Sequence, residues 1–371
     1  MLSGFISARI ELFLLVMVAS LLPIFLGPLR SCAYAEDQPM ALSEQAIPVK
    51  DPRGVLLISI ARAGDRLVAV GEHGVIVYSD DNGKNWVQAI VPVSVTMTSV
   101  AFATSEEGWA AGDCGVVLHT HDGGATWQLQ ITGIRVNQMV MAAAAKFYAA
   151  DPTNVAAQTA LRRANIFMQD GPDKPFFSIL PSNIKNVMIF GAYRMCIRSA
   201  DGGKSWDDCS LDVADPISHN LYDAIQEGSS IYIAGEVGMV FHSSDDGDTF
   251  PQVASPADDT LFGILHTADN TLVTFGVAGH MFRSADEGMT WSPVNIAAQA
   301  NLTAGIILRS GTIIAASEAG DVYASDDDGL TFHVSGGNQG MGLFDLVQAA
   351  TGDIVFVGTG GVRVVPQAVL N

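Results

Sequence analysis

One sixteen-residue unit constrains this chain more than any other feature. Its clearest copy runs from Gly112 to Trp127, GDCGVVLHTHDGGATW. It reads as a tight turn, an alternating strand, an acidic glycine-rich turn and an aromatic residue. Five further copies keep the same frame: Gly71 to Trp86, Gly191 to Trp206, Gly235 to Phe250, Gly276 to Trp291 and Ser317 to Phe332. The closing aromatics fall at 86, 127, 206, 250, 291 and 332, in steps of 41, 79, 44, 41 and 41. A strand-rich unit with a period of about 40 residues cannot bury its apolar face alone. Stacking such units radially buries it, which predicts an all-β propeller.

Each unit expands into a four-stranded blade. The first has strands near 54–60, 66–71, 74–79 and 86–91, and the last partial unit has strands near 342–349, 353–358 and 361–365. Six units with acidic turns and one without predict seven blades. The seventh lacks a fourth strand, and residues 44–50 (EQAIPVK) are expected to supply it, joining the chain ends and removing open sheet edges. The propeller then spans 44–366. The 79-residue step carries no acidic turn in its middle. Residues 134–171 are Ala- and Met-rich there and read as a helical hairpin inserted between blades two and three. Asp151-Pro152 is expected to cap its second helix, and Gly171-Pro172 to stop it. Deleting the insertion is expected to leave a folded propeller that has lost its partner.

The acidic turns read Ser/Thr-x-Asp-x-Gly-x-(Thr/Ser/Asn)-(Trp/Phe). Asp81, Asp122, Asp201, Asp245, Asp286 and Asp327 are placed to accept bonds from turn amides, and the glycine two residues on can adopt positive φ. This pattern resembles the Asp-box, or BNR, repeat, in which the boxes hold the fold on the rim away from most functional sites. The remaining ligands of a calcium loop are missing, so the aspartates are read as structural. The opposite rim carries the turns between second and third strands: Glu72, His73, Asp113, Tyr193, Arg194, Glu236, His280 and Glu318. These residues, with Arg162 and Arg163 of the insertion, are the candidate partner-docking set. The insertion is expected to lie over that rim as a lid or handle.

The formal charge of −20 leaves no basic stripe to neutralise phosphates, so no nucleic-acid partner is expected. It also argues against docking on anionic lipid. The N-terminus reads as an export signal. Arg9 precedes an apolar run from Ile10 to Leu26, and Ala33-Tyr34-Ala35 is a small-x-small cleavage site, which makes 1–35 the leader. Cleavage predicts a periplasmic protein without membrane insertion. The alternatives are an uncleaved N-terminal anchor and lipidation at Cys32, and Glu11 counts against the anchor. If Ser199 opposes Trp206 across its box, Cys196 and Cys209 face each other, and an oxidising compartment permits a disulfide between them. Two buried thiols are the alternative, and Cys114 is left over as an odd, exposed thiol. The histidines do not cluster by metal spacing. His119-x-His121 spans a strand end, a weak zinc signal, so no metal and no cofactor are expected.

Glu107-Gly108-Trp109-Ala110-Ala111-Gly112, leading into Asp122-Gly123-Gly124-Ala125-Thr126-Trp127, resembles the photosystem II stability/assembly factor family. The resemblance covers about 44–366 apart from the insertion. It implies a seven-bladed propeller without catalysis that binds membrane-protein intermediates. The layout is also similar to non-photosynthetic bacterial relatives of that family, which accompany RND-type exporters. The leading expectation is therefore an exported assembly or accessory factor for a membrane protein complex or transporter. The alternative is a secreted carbohydrate-active enzyme, sialidase-like or another glycoside hydrolase. The arginine cluster, Tyr/Glu pair and FRIP-type motif of sialidases are not found in the sequence.

Overall fold

The computed structural model describes residues 39–51, 54–336 and 340–370. The expected leader lies outside them. Seven antiparallel sheets of three or four strands follow one another along the chain. Their first strands are Leu57–Ala63, Met97–Phe102, Phe176–Pro181, Leu221–Glu227, Leu261–His266, Leu302–Ile307 and Leu343–Gln348. Each first strand packs against the first strand of the next sheet, and the seventh packs back onto the first. This closed circuit is the propeller arrangement. The second strands are buried along their length, as Val187–Gly191 and Ile354–Gly358 illustrate. Apolar clusters fill the gaps between neighbouring sheets. Leu57, Ile60 and Trp86, for example, meet Val355 and Val357 where the ring closes. Fully burying one such side chain is worth roughly 1.5–3 kcal/mol.

Closure differs from expectation. Residues 45–49 form no strand, and the seventh sheet has three strands. Pro48 lacks an N–H for a ladder. The segment instead follows the first sheet. Ala46 N donates to Val91 O (3.1 Å), Val49 N to Gln88 Oε1 (3.0 Å), and Gln88 Nε2 to Ile47 O (2.9 Å). The ring is joined by packing and by one carboxylate. Asp345 of the seventh sheet accepts from Ser59 Oγ and Ile60 N of the first, both at 2.9 Å.

The insertion is two helices, α1 (Gly133–Ala150) and α2 (Val155–Asp170). The second starts later than expected. Asp151 is spent on a local turn, accepting from Thr153 N (3.0 Å), and Asn154 is the cap, accepting from Ala156 N and Ala157 N. Buried Asn137 ties the hairpin together by donating to the carbonyls of Phe167 and Gly171, both at 2.8 Å. Val136, Val140, Ala144, Ala164 and Phe167 share one core with Ile131, Met195 and Trp206. The hairpin is thus integral to sheets two and three, and its deletion would open their core. It rests on the turn at Asp113–Gly115 and on the outer strand Asp207–Asp208. No helix among the described residues is long and apolar enough to cross a membrane.

Candidate binding face

The two rims are built from the same unit but behave differently. On the box rim, six aspartates sit in one geometry. Each accepts from the Ser or Thr hydroxyl two residues earlier (2.7–2.9 Å). Each also accepts from the backbone N–H four residues later (2.8–3.0 Å). Those bonds favour the ionised form. Asp81 is held down to about 2, first by the Asn85 backbone and then by its side chain, and Asp245 to about 2, first by Ser243. The box glycines are jammed against the preceding sheet. A Cβ on Gly247 (φ +89°) would lie 2.7 Å from Met188 Sδ, and one on Gly124 (φ +87°) 3.1 Å from Val68. The boxes therefore set the spacing between sheets. Flanking the third box, Cys196 and Cys209 form a disulfide with Cα atoms 4.9 Å apart.

On the opposite rim, five of the turns between second and third strands are single 3₁₀ turns whose central residue takes positive φ: His73, Cys114, Tyr193, Val237 and Ala278. That backbone pushes the central side chain outward. Tyr193 and Val237 are exposed (38% and 42%), but Cys114 is buried beneath α1 (1%), and no described cysteine is a free thiol. The odd exposed thiol expected at Cys114 is therefore absent: the insertion covers that turn, and the sulfur is disulfide-bonded.

The remaining docking candidates separate. Glu72 and His73 form a loose pair at 4.0 Å, and His280 Nδ1 meets Asp259 at 2.7 Å on an exposed edge. Asp113 is pushed up to about 6 by burial. Glu318 is half-buried, its N–H donating to Asn301 O (3.0 Å). Arg194 is a correction. It is 9% exposed, replaces the glycine of the other turns at positive φ (63°), and donates to the carbonyls of Val213 (3.2 Å) and Asp215. Its guanidinium is buried structure and not docking surface. Arg163 is also turned inward, donating to Ser218 Oγ at 2.6 Å, and burial with Arg194 nearby lowers it to about 10. Arg162 beside it is exposed.

These contacts converge where the third and fourth sheets meet. Burial opposes ionisation of Asp215, but the side chain and N–H of His219 hold it at about 2. Asn220 accepts from Tyr193 N (2.9 Å), and Glu236 accepts from Asn220 N (3.1 Å). The rim here is tied together by hydrogen bonds, and Tyr193, Ile217 (74% exposed) and Val237 stand out from it. Beside it, at the turn end of the first strands, Phe177, Tyr222 and Phe262 line up in successive sheets with centroids 5.1 and 5.4 Å apart. They occupy the bulge where each first strand slips register against the second. Burial pushes Tyr222 up to about 12, and Asn220 Nδ2 donates to its hydroxyl (3.2 Å). Two partly buried carboxylates lie one residue further along first strands, Asp223 after Tyr222 and Asp345 in the seventh sheet, and burial pushes them up to about 7 and about 6. Sequence reasoning missed these residues. The signal was available in Leu221-Tyr222-Asp223 and Leu343-Phe344-Asp345, where the first strands of two units carry an acid at the same offset.

The family model for photosynthesis system II assembly factor YCF48 matches residues 70–157 and 173–334, well over half the chain. The photosystem II assembly lipoprotein Ycf48 of Synechococcus sp. (strain CC9902) is 35% identical over 65 residues, 18% of this chain and 20% of that protein, so the match spans only a fifth of its length. A structure of YCF48 bound to D1 peptide aligns with a TM-score of 0.63 at 15% identity, covering 87% of this chain and 96% of the other. The GH74 enzyme of Niastella koreensis aligns with a TM-score of 0.58 at 13% identity, covering 85% of this chain and 52% of the enzyme, which shows that the fold also carries catalysis elsewhere. The chain belongs to the photosynthesis system II assembly factor YCF48 family.

Proposed function

We propose that this chain is an exported, non-catalytic assembly factor, a seven-bladed propeller (44–366) that holds a segment of a membrane protein complex against its turn rim at the junction of the third and fourth sheets. The leader 1–35 is cleaved in this reading, and the protein works in the periplasm. The observation that carries it is the hydrogen-bonded, apolar-tipped junction: Tyr193, Ile217 and Val237 stand exposed over a partly buried polar network, next to the aromatic row Phe177–Tyr222–Phe262. Apolar anchors ringed by polar groups are what a peptide-docking patch requires. A related structure that holds the D1 peptide supports a protein segment as ligand. Glu236 and Arg162 would set the polarity of that segment.

Asp223 and Asp345 are taken up by backbone amides of neighbouring sheets, Ile264 N (3.1 Å) and Ile60 N (2.9 Å), and serve here as staples and not as an acid–base pair. The test is capture from detergent-solubilised membranes of the source organism on the immobilised chain, with mass spectrometry of what is retained. A photosystem subunit or an RND-type exporter retained by the wild type, and lost in a folded Tyr193→Ala/Ile217→Ser variant, is expected. Capture indifferent to those substitutions would contradict the proposed face. Release of reducing sugar from polysaccharide would overturn the non-catalytic reading.

A further inference from the structure

The second sheet carries a side-chain cluster that the docking reading does not use. Its second and third strands, Gly108–Gly112 and Val117–Thr120, pair Gly108 with Thr120 and Trp109 with His119. Extending that ladder sets Glu107 opposite His121, with His119 as its diagonal neighbour on the same face. The side chains meet accordingly. His121 Nδ1 lies 2.9 Å from Glu107 Oε1, and His119 Nε2 lies 3.0 Å from Glu107 Oε2. The ligating atoms of all three residues fall within 4.8 Å of one another. His119 is clamped in place by Trp109, its ring stacked at 4.7 Å.

Two observations favour a metal site over a local polar pair. The first is His119 itself. It is 4% exposed, and its Nε2 meets Glu107 Oε2 at 3.0 Å but out of line for a good hydrogen bond. A buried nitrogen left in that state is costly unless something else engages it. The second is the comparison within the ring. The equivalent three positions hold Arg66, Tyr78 and Asp80 in the first sheet, where Arg66 pairs with Asp80 at 2.7 Å. They hold Ser230, His242 and Ser244 in the fourth, and Thr312, Ala324 and Asp326 in the sixth, where Thr312 donates to Asp326 at 2.7 Å. The fifth sheet pairs Thr271 with Arg283 at 3.0 Å. Each of these four sheets closes this spot with a self-contained polar contact. The second sheet alone fills it with two imidazoles and a carboxylate.

We infer that Glu107, His119 and His121 form a binding site for one divalent d-block cation of the zinc class. Imidazole and carboxylate suit such a borderline ion, with Zn–N near 2.0–2.1 Å. Ligand atoms sharing a tetrahedral ion stand about 3.3 Å apart; the two spacings to Glu107 are near that, and the full set lies within 4.8 Å, so a small adjustment of the exposed His121 ring closes the site. Three protein ligands leave one position open. His121, whose side chain is 58% exposed, borders an open cleft of about 480 Å³ shared with Arg66, Glu106 and Asp122, so an ion can reach this ligand from solvent.

The test uses tag-free, chelator-treated full chain titrated with ZnCl₂ by calorimetry and followed by thermal melting. One equivalent is expected to bind and to raise Tm. His121→Ala, whose side chain is 58% exposed and whose loss spares the core, is expected to weaken binding by more than about 100-fold, beyond the effect of losing an outer-shell partner. Glu107→Gln is expected to do the same, whereas His280→Ala on the other rim leaves binding unchanged. Absence of saturable binding to the wild type would overturn the site, and so would wild-type affinity in His121→Ala.

Discussion

The two rims of the ring are made by opposite ends of one repeated unit, yet one is uniform and the other is not. On the box rim, all six aspartates make the same bonds to hydroxyl and amide. On the turn rim, the backbone repeats but the side chains differ at every turn: His73, Cys114, Tyr193, Val237, Ala278. Uniform chemistry around a ring serves what all the sheets share, their spacing. Recognition needs an asymmetric patch, and that arises where a copy departs from the pattern. Arg194 in place of glycine, the docked hairpin and exposed Ile217 all gather at one junction.

Substitutions that strike the uniform rim should cost the most stability. Gly247→Val combines a positive φ with a clash against Met188 and is expected to destabilise by about 3 kcal/mol or more in urea unfolding. A loss under 1 kcal/mol, on the order of an ordinary surface change, would mean the boxes do not set sheet spacing. Arg194 probes the break in the pattern. Arg194→Ala leaves two carbonyls without their donor and is expected to lose about 2–3 kcal/mol. Arg194→Gly restores the residue of the other turns and should recover about 1 kcal/mol of that by relieving the left-handed backbone. Equal losses would show that the strain is immaterial.

The repeat made the ring legible because its signals are local: an alternating strand, a glycine turn, an aromatic, each at a fixed offset. The box aspartates were legible for the same reason, as was the Cys196–Cys209 pairing, which follows from strand register. What was not legible depends on individual side-chain contacts that the repeat does not dictate. Residues 44–50 have a strand-like composition, but the Gln88 side chain draws them to the first sheet. Arg194 looks like a surface cation until the carbonyls of Val213 and Asp215 are placed around it. Glu107 and His119 belong to adjacent strands of one hairpin, and only its register shows that their side chains meet.

A pH effect separates the two kinds of carboxylate. Asp223 and Asp345 have folded values of about 7 and about 6, above the roughly 4 of an unfolded aspartate. Their contribution is full below about pH 4 and fades as pH rises through 6 to 7. Asp81 and Asp245, held at about 2, contribute above about pH 4 and lose that contribution as pH falls towards 2. Unfolding free energy is therefore expected to be larger near pH 4.5 than at pH 7.5, by on the order of 1–3 kcal/mol. Asp345→Asn should flatten that slope. A wild-type profile rising steadily to pH 7.5 would show that the stapling carboxylates titrate normally. The smallest stability effect belongs to the turn rim, where Ile217→Ser, at a side chain 74% exposed, should change unfolding by less than about 0.5 kcal/mol while weakening partner capture.

The assignment of recognition to one rim is tested most directly by site-specific photocrosslinking in native membranes. A photoreactive amino acid at Tyr193 is compared with one at Lys84 on the box rim. A crosslink to a membrane-protein subunit from position 193 and none from position 84 is the predicted result. Crosslinks from position 84 alone would contradict it.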